Sequence, residues 1–282
     1  MKPIIQKLPL SEGTSFVART YETPLYETPW HQHETVELML SQAGEGSLFA
    51  GDYIGEFKVG DVYMFGKNLP HWFRKLDHLR GKTVVVQFKE DLFGQVFLNL
   101  PELSKIKSLL QISRMGLRLK GGLRKQIKKR LTKIESLNGY EQISVLLDCL
   151  HSISLSKEYD LLTNTHFSAY SEEEQMRISA VFDYTLNHFT DQIKLEQVAN
   201  LTNQSVSNFC KYFKKNTKKT YIQFLNEVRI SHTCKLLKNT DKTITEICYE
   251  SGFRNWSNFS SQFKKTCGVS PSEYRSQFKP VA

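Results

Sequence analysis

Ser207-Asn208-Phe209-Cys210-Lys211-Tyr212-Phe213-Lys214-Lys215 returns fifty positions later as Ser257-Asn258-Phe259-Ser260-Ser261-Gln262-Phe263-Lys264-Lys265. The frame S-N-F-x-x-x-F-K-K repeats without a gap. In a helix, Phe at i and i+4 falls on one side, so Phe209/Phe213 and Phe259/Phe263 point to a core. Ser207, Lys211 and Lys214 face away, as do Ser257, Ser261 and Lys264. Such a helix can be held by a protein core while its small, polar, cationic side lies against nucleic acid.

The flanking sequence supplies helix-turn-helix punctuation twice over. Residues 176–189 predict a helix with Ile178, Val181, Phe182 and Leu186 inward, and 195–200 a short helix with Val198 and Ala199 at the contact. A turn at Leu201-Thr202-Asn203 leads to Ser205, an N-cap for the first repeated helix. Residues 221–238 predict a longer helix. Thr243-Ile244-Thr245-Glu246 is a capping box that opens the next short one. Its turn is Tyr249-Glu250-Ser251-Gly252, where Gly252 can take φ > 0. Ser270-Pro271-Ser272-Glu273, a capping box with Pro at the first helical position, opens the last helix.

Upstream the period changes. In residues 1–90, short apolar runs (36–40, 46–50, 62–65, 83–88) are separated by turn signals such as Gly51-Asp52 and Gly60-Asp61, which predicts an antiparallel barrel or jelly roll. Within it stand His31-Gln32-His33, Glu37 and Gly44, then Gly60-Asp61 and Pro70-His71. Residues 31 and 33 share one strand face, and three imidazoles with a carboxylate suit a divalent transition metal. Between 92 and 156, Leu103, Ile106, Leu109, Leu110 and then Leu123, Ile127, Leu131, Ile134 recur at helical spacing. Residues 118–133 hold eight basic residues and no acid, flanking the apolar stripe of an amphipathic helix whose basic side is solvated or forms a dimer. The Ser/Thr-rich stretch 157–171 reads as a linker.

The chain has 282 residues, enough for two cores. No apolar run approaches the roughly 18 residues of a membrane span, and residues 1–10 lack the pattern of a signal peptide. Five scattered cysteines without a C-x-x-C pair predict reduced thiols and a cytoplasmic address. The net charge of +9 is uneven: residues 1–115 are neutral, 116–170 carry +4 and 171–282 carry +5. A basic C-terminal half fits a nucleic-acid partner. No phosphate-binding glycine loop, nucleophile elbow or Ser/His/Asp arrangement is present, so no catalytic residue is named.

Two resemblances follow. His31-x-His33-x3-Glu37-x6-Gly44 resembles the first cupin motif position for position, and Gly60 to Pro70-His71 the second more loosely. This implies a cupin-like fold with His31, His33, Glu37 and His71 brought together as an effector pocket. In metal-binding cupins these positions are ligands, and in regulatory cupins they line a pocket without metal. The resemblance requires no cofactor; a divalent transition metal at the four residues is the alternative. Residues 176–280 resemble the DNA-binding domain of AraC/XylS-type transcription regulators. The agreement is most evident in I-T-E-I-C-Y-E-S-G-F-R-N-W-S-N-F-S-S-Q-F-K-K-T-C-G-V-S-P-S-E-Y-R from Ile244 to Arg275. The departures are Lys194 at a Thr cap, Asn203 at a turn Gly, Lys218-Lys219 at a Gly, and Cys248 at a common Ala.

The resemblances imply an α+β protein of two domains. Residues 1–90 form an antiparallel cupin-like, jelly-roll-like effector-sensing barrel, and 91–156 a helical extension for dimerisation. Residues 157–171 form a linker, and 172–282 an all-α domain with two helix-turn-helix units joined by a long helix. The function implied is a sequence-specific DNA-binding regulator, an activator responding to a small-molecule effector. It would act as a homodimer, with RNA polymerase as partner and no membrane. Base contacts are expected from Ser207, Asn208, Cys210 and Lys211 in the first repeated helix. In the second they are expected from Asn255, Trp256, Ser257, Ser260 and Ser261. Phosphate contacts are expected from Ser205, Lys214, Lys215, Thr243, Lys264 and Lys265. The competing reading is a metal-dependent cupin enzyme, a dioxygenase or isomerase, fused to a DNA-binding tail.

Overall fold

The computed structural model describes residues 15–23, 27–75, 81–165, 167 and 171–277. Residues 1–10, read above for a leader, lie outside them. Two compact units divide the chain, Met1–Gln175 and Met176–Ala282. Among the described residues no helix is long and apolar enough to cross a membrane.

The first unit opens with β1 (Val17–Thr23), β2 (Glu27–His31), β3 (Thr35–Ala43), β4 (Gly46–Ala50), β5 (Tyr53–Phe57), β6 (Val62–Phe65), β7 (His71–Lys75) and β8 (Gly81–Lys89). There follow α1 (Gly94–Leu98), α2 (Ser104–Ile112), β9 (Leu117–Leu119), α3 (Gly121–Ile134), α4 (Tyr140–Leu155) and β10 (Tyr159–Leu161). The expected closed barrel is not what the described strands make. They form two antiparallel sheets, one in the order β1-β8-β3-β6-β9-β10 and one in the order β2-β7-β4-β5.

The short strands correct two further expectations. The region 91–156 is helical except for β9, which continues the larger sheet beside β6. The stretch 157–171, expected as linker, contributes β10, paired to β9 through Tyr159↔Leu119 and Leu161↔Leu117. Three-residue strands are too short for alternation to show in sequence.

Side-chain alternation gives the larger sheet two covered faces. On one, Val36, Leu38, Leu40, Val62, Met64, Val84, Val86, Phe88, Leu117 and Leu119 share a core with Ile106, Leu109, Leu110, Leu123, Ile127, Leu131, Leu146 and Leu150 of α2, α3 and α4. On the other, Met39, Tyr63 and Phe65 meet Leu48, Ala50, Phe57 and Phe73 of the smaller sheet. The buried Asp61 fastens β6 to the next elements. Its carboxylate accepts from Arg118 at 2.8 Å, Arg124 at 3.4 Å and Tyr63 Oη at 3.1 Å. Two members of the basic run are therefore engaged internally.

α5 (Glu172–His188) leads into the second unit, which contains its larger part and α6 (Leu195–Leu201), α7 (Val206–Thr217), α8 (Tyr221–Asn239), α9 (Ile244–Glu250), α10 (Trp256–Cys267) and α11 (Pro271–Ser276). The expected caps are in place. Ser205, Thr243 and Ser270 each accept from the backbone N–H three residues on, and Glu246 and Glu273 complete capping boxes. Asn255 caps α10 in the same way. At Lys194 only half a box forms, because an ammonium cannot accept; the Gln197 side chain accepts from the Lys194 backbone at 2.7 Å.

The long helix α8 serves two cores. Its N-terminal half buries Tyr221, Phe224, Leu225 and Val228. Phe182 and Phe213 meet Phe224 at ring distances of 4.4 and 5.6 Å. Its C-terminal half places Ile230, Cys234 and Leu237 in a second core with Ile247, Cys248, Phe253, Phe259 and Phe263. Arg229, between the halves, donates to the Phe189 and Asp191 carbonyls at 2.7 and 2.9 Å and lies over the Phe253 ring. Gly252 sits where a Cβ would come 2.5 Å from the Phe189 carbonyl oxygen, at φ +83°. Only glycine satisfies both the turn and that approach.

Candidate nucleic-acid interface and buried histidine cluster

α7 and α10 present the same plan. Phe209, Phe213, Phe259 and Phe263 are fully buried. Around them Ser207, Asn208, Lys211, Lys214 and Lys215 are exposed and Cys210 is half-buried. On α10, Ser257, Ser261, Lys264 and Lys265 are exposed and Ser260 is half-buried. Asn255 is exposed although its carbonyl side-chain oxygen is occupied by the Asn258 N–H at 2.9 Å. Trp256 is 46% exposed, with its ring 5.4 Å from Phe259, so its inner edge packs and its outer edge is accessible. Ser205 and Thr243 are exposed at their helix N-termini. Every residue named from the sequence for this face therefore reaches solvent.

The two copies differ at their C-terminal caps. Gly268 ends α10 at φ +78°, while α7 ends in Lys218 at φ +62°, a left-handed conformation that costs an L-residue about 1–2 kcal/mol. Asn203, in the turn before α7, also stands at φ +53°. The first copy of the repeat thus makes its turns with residues that need compensation elsewhere.

In the first unit of the chain, the space between the sheets collects the four residues of the cupin-like motif. Strand register sets His31 directly opposite His71, across β2 and β7. Glu37 enters from β3, on the facing sheet. One ligand-type atom from each of His31, His33, Glu37 and His71 lies within 4.8 Å of the others, and all four residues are buried. Glu37 Oε2 is 3.3 Å from His33 Nε2, and Oε1 is 3.9 Å from His71 Nε2. The Phe65 ring stacks on His71 at 4.3 Å and 5°.

Backbone and neighbours orient this cluster. His71 Nδ1 is 2.8 Å from the Leu69 carbonyl and His33 Nδ1 is 2.9 Å from the Thr35 carbonyl, which makes Nδ1 the protonated nitrogen in each. Burial would raise the Glu37 carboxyl, but His33 Nε2, 3.3 Å away, and the His71 and His31 rings overcome it and hold it at about 2. Burial, then His31, pushes His71 well below its ordinary value, so its ring is neutral. An ionised carboxylate beside the neutral His71 ring, with the Nδ1 atoms of His33 and His71 turned to carbonyls, is what a divalent transition metal requires. The Nε2 atoms of His33 and His71, buried without a hydrogen-bond partner, aim into the cluster. The residues fit such a metal.

Sequence reasoning missed Gln87, whose Nε2 donates to Glu37 Oε2 at 2.8 Å, and Thr35, which holds His33. Gln87 lies opposite Glu37 in the β3–β8 register, so the signal was present only once that pairing was known.

Residues 198–277 match the helix-turn-helix domain family. Over 278 residues, 96% of this chain, the protein is 25% identical to the HTH-type transcriptional activator RhaR of Mannheimia succiniciproducens, covering 98% of that protein. It is 30% identical over 130 residues, 45% of this chain and 43% of the other, to the melibiose operon regulatory protein of Escherichia coli K12. Among solved structures, ToxT from Vibrio cholerae O395 is 16% identical, with 95% of this chain and 99% of that one covered at a TM-score of 0.38. Both curated relatives carry the names of transcription regulators.

Proposed function

We propose, on the premise that this chain is one of the AraC-type transcription regulators, that it binds duplex DNA sequence-specifically and activates transcription in response to a small molecule. The observation that supports this most directly is the matched design of α7 and α10. Each is anchored by two fully buried phenylalanines and turns its lysines outward. In this reading α8 holds the two helices apart so that one monomer enters successive major grooves, about 10 bp apart on one side of the duplex.

Ser207, Asn208, Cys210 and Lys211, with Asn255, Trp256, Ser257, Ser260 and Ser261, read base edges. Lys214, Lys215, Lys264 and Lys265, with the helix starts at Ser205 and Thr243, meet phosphates and supply affinity rather than choice. The protein acts in the cytoplasm as a homodimer that contacts RNA polymerase, with region 91–156 contributing to the dimer.

The effector is taken by His31, His33, Glu37 and His71. The same four side chains would hold a divalent transition metal, which would supply a Lewis-acidic point for an oxygen-bearing effector. Gln87 and the Leu69 and Thr35 carbonyls keep the carboxylate and two of the rings in place for either ligand.

Selection of bound duplexes from a randomised pool by the full-length protein, followed by footprinting, tests the reading. Two protected blocks about one helical turn apart support it. Failure to enrich any sequence at physiological salt would end it.

A further inference from the structure

Cys234, on the C-terminal half of α8, and Cys267, the last residue of α10, bring their Sγ atoms to 3.7 Å across 33 positions of chain. Neither is in a disulfide. Cys234 is 9% exposed and packs in the second core, while Cys267 is half-buried and open to small reagents. The remaining cysteines are differently placed. Cys149 and Cys248 are fully buried, and burial pushes the Cys149 thiol up to about 12, which leaves it unreactive. Cys210 stands half-buried on α7, in the other copy of the repeat.

We propose that Cys234 and Cys267 are a reversible oxidation site, closing to a disulfide that draws the end of α10 toward α8 and weakens DNA binding by that helix. A disulfide needs sulfurs about 2.05 Å apart, so the pair must close by more than an ångström. The chain can yield at that point. Cys267 precedes Gly268, where nothing lies within 4 Å of a would-be Cβ. Lys264 and Lys265 occupy the same last turn, so the motion displaces both outward cations together.

The chemistry has a clear order. The Cys234 thiol hydrogen-bonds to Cys267 and lowers its pKa against the effect of burial, with Lys238 adding to the lowering. Cys267, the more exposed of the two, is therefore the sulfur that meets the oxidant first. With a hydroperoxide as oxidant, its sulfur attacks the peroxide oxygen, breaks the O–O bond and becomes a sulfenic acid, releasing water or an alcohol. Cys234 then attacks that sulfur, loses its proton, and expels hydroxide, which takes the proton to leave as water. Two thiols are oxidised by two electrons and one peroxide is reduced.

The first copy of the repeat lacks this device. Its helix ends in Thr217, whose hydroxyl donates to the Phe213 carbonyl at 2.8 Å. Oxidation would thus act on one half of a two-part DNA site.

The consequence for DNA rests on the function proposed above, but the covalent step does not. Full-length protein is treated with hydrogen peroxide, digested without reductant and analysed by mass spectrometry. The expected result is one cross-linked peptide pair, Cys234 with Cys267, with Cys149, Cys210 and Cys248 still alkylatable. If both thiols remain alkylatable, or if other cysteines cross-link in preference, the oxidation site is refuted whatever the protein binds. On a selected duplex, oxidation should weaken binding about tenfold, the order of one lost charge-assisted contact. Footprint protection should be lost on the α10 side only, and dithiothreitol should restore it. Cross-linking without a change in affinity would refute the switch while leaving the DNA reading intact. Cys267→Ser, at the half-buried position, should bind DNA as the reduced protein does and ignore peroxide. Cys234→Ala is the second variant, should the first not fold.

Discussion

Gln87 Nε2 donates to Glu37 Oε2 over 2.8 Å, joining residues that face each other on neighbouring strands of the larger sheet. The carboxylate is buried and ionised, so this bond is charge-assisted and its loss is not made good by water. Gln87→Leu should destabilise the protein by about 1.5–3 kcal/mol. Urea denaturation of the full chain measures it, and an unchanged midpoint would mean that the histidines satisfy Glu37 alone.

Lys211→Ala should cost about 1–3 kcal/mol of DNA binding and relax the preference at one base pair. Lys265→Ala should weaken binding to all duplexes alike and lower the salt slope by about one unit. Gel-shift titrations over a mutated site at two salt concentrations separate them. The same base preferences in wild type and Lys211→Ala would place that lysine on the backbone.

Phe259→Ala removes a fully buried ring wedged among Phe253, Trp256 and Phe263 and should cost about 3–5 kcal/mol of stability. Trp256→Ala, trimming a side chain that is nearly half exposed, should change thermal stability far less while still altering DNA binding. Equal losses of stability in both would show that Trp256 belongs to the core.

Lys218→Gly should stabilise the protein by roughly 0.5–1 kcal/mol. Relief of a left-handed L-residue exceeds the extra freedom that glycine gives the unfolded chain. Differential scanning calorimetry should place the transition a few degrees higher. A lower transition would mean that the Lys218 ammonium, bonded to the Lys215 carbonyl, matters more than the backbone strain.

Glu246 and Glu273 have carboxyls lowered from the usual 4.5 by their bonds to Thr243 and Ser270. A depressed folded-state value stabilises the native state above the unfolded value, and that contribution is lost as pH falls through the depressed one. Acidification below about pH 4.5 should therefore lower the melting temperature of wild type more than that of a Glu246→Gln/Glu273→Gln double variant. Parallel curves would show that the caps work equally well protonated.

The second unit was legible because every level agreed: the phenylalanine period, the Ser, Thr and Pro caps, and the glycine at 252 all marked the same boundaries. The histidine cluster was legible from spacing, since 31 and 33 straddle one strand end and 37 and 71 return to it. The pairing of strands was not. β9 and β10 are three residues each, and neither alternation nor turn chemistry distinguishes them from loop. Two sheets rather than a closed barrel depend on which strands become neighbours, which a linear pattern does not carry. The proximity of Cys234 to Cys267 depends on the approach of α10 to α8, and their spacing gave no hint of it.

β3 separates two interiors by the thickness of one peptide chain. Glu37 looks toward the histidines, while Val36 and Leu38, its immediate neighbours, lie in the core shared with the helices. Any occupant that shifts the carboxylate must therefore tug on the greasy contacts at its back. A molecule captured there, as proposed, would have a single residue across which to reach the far layer.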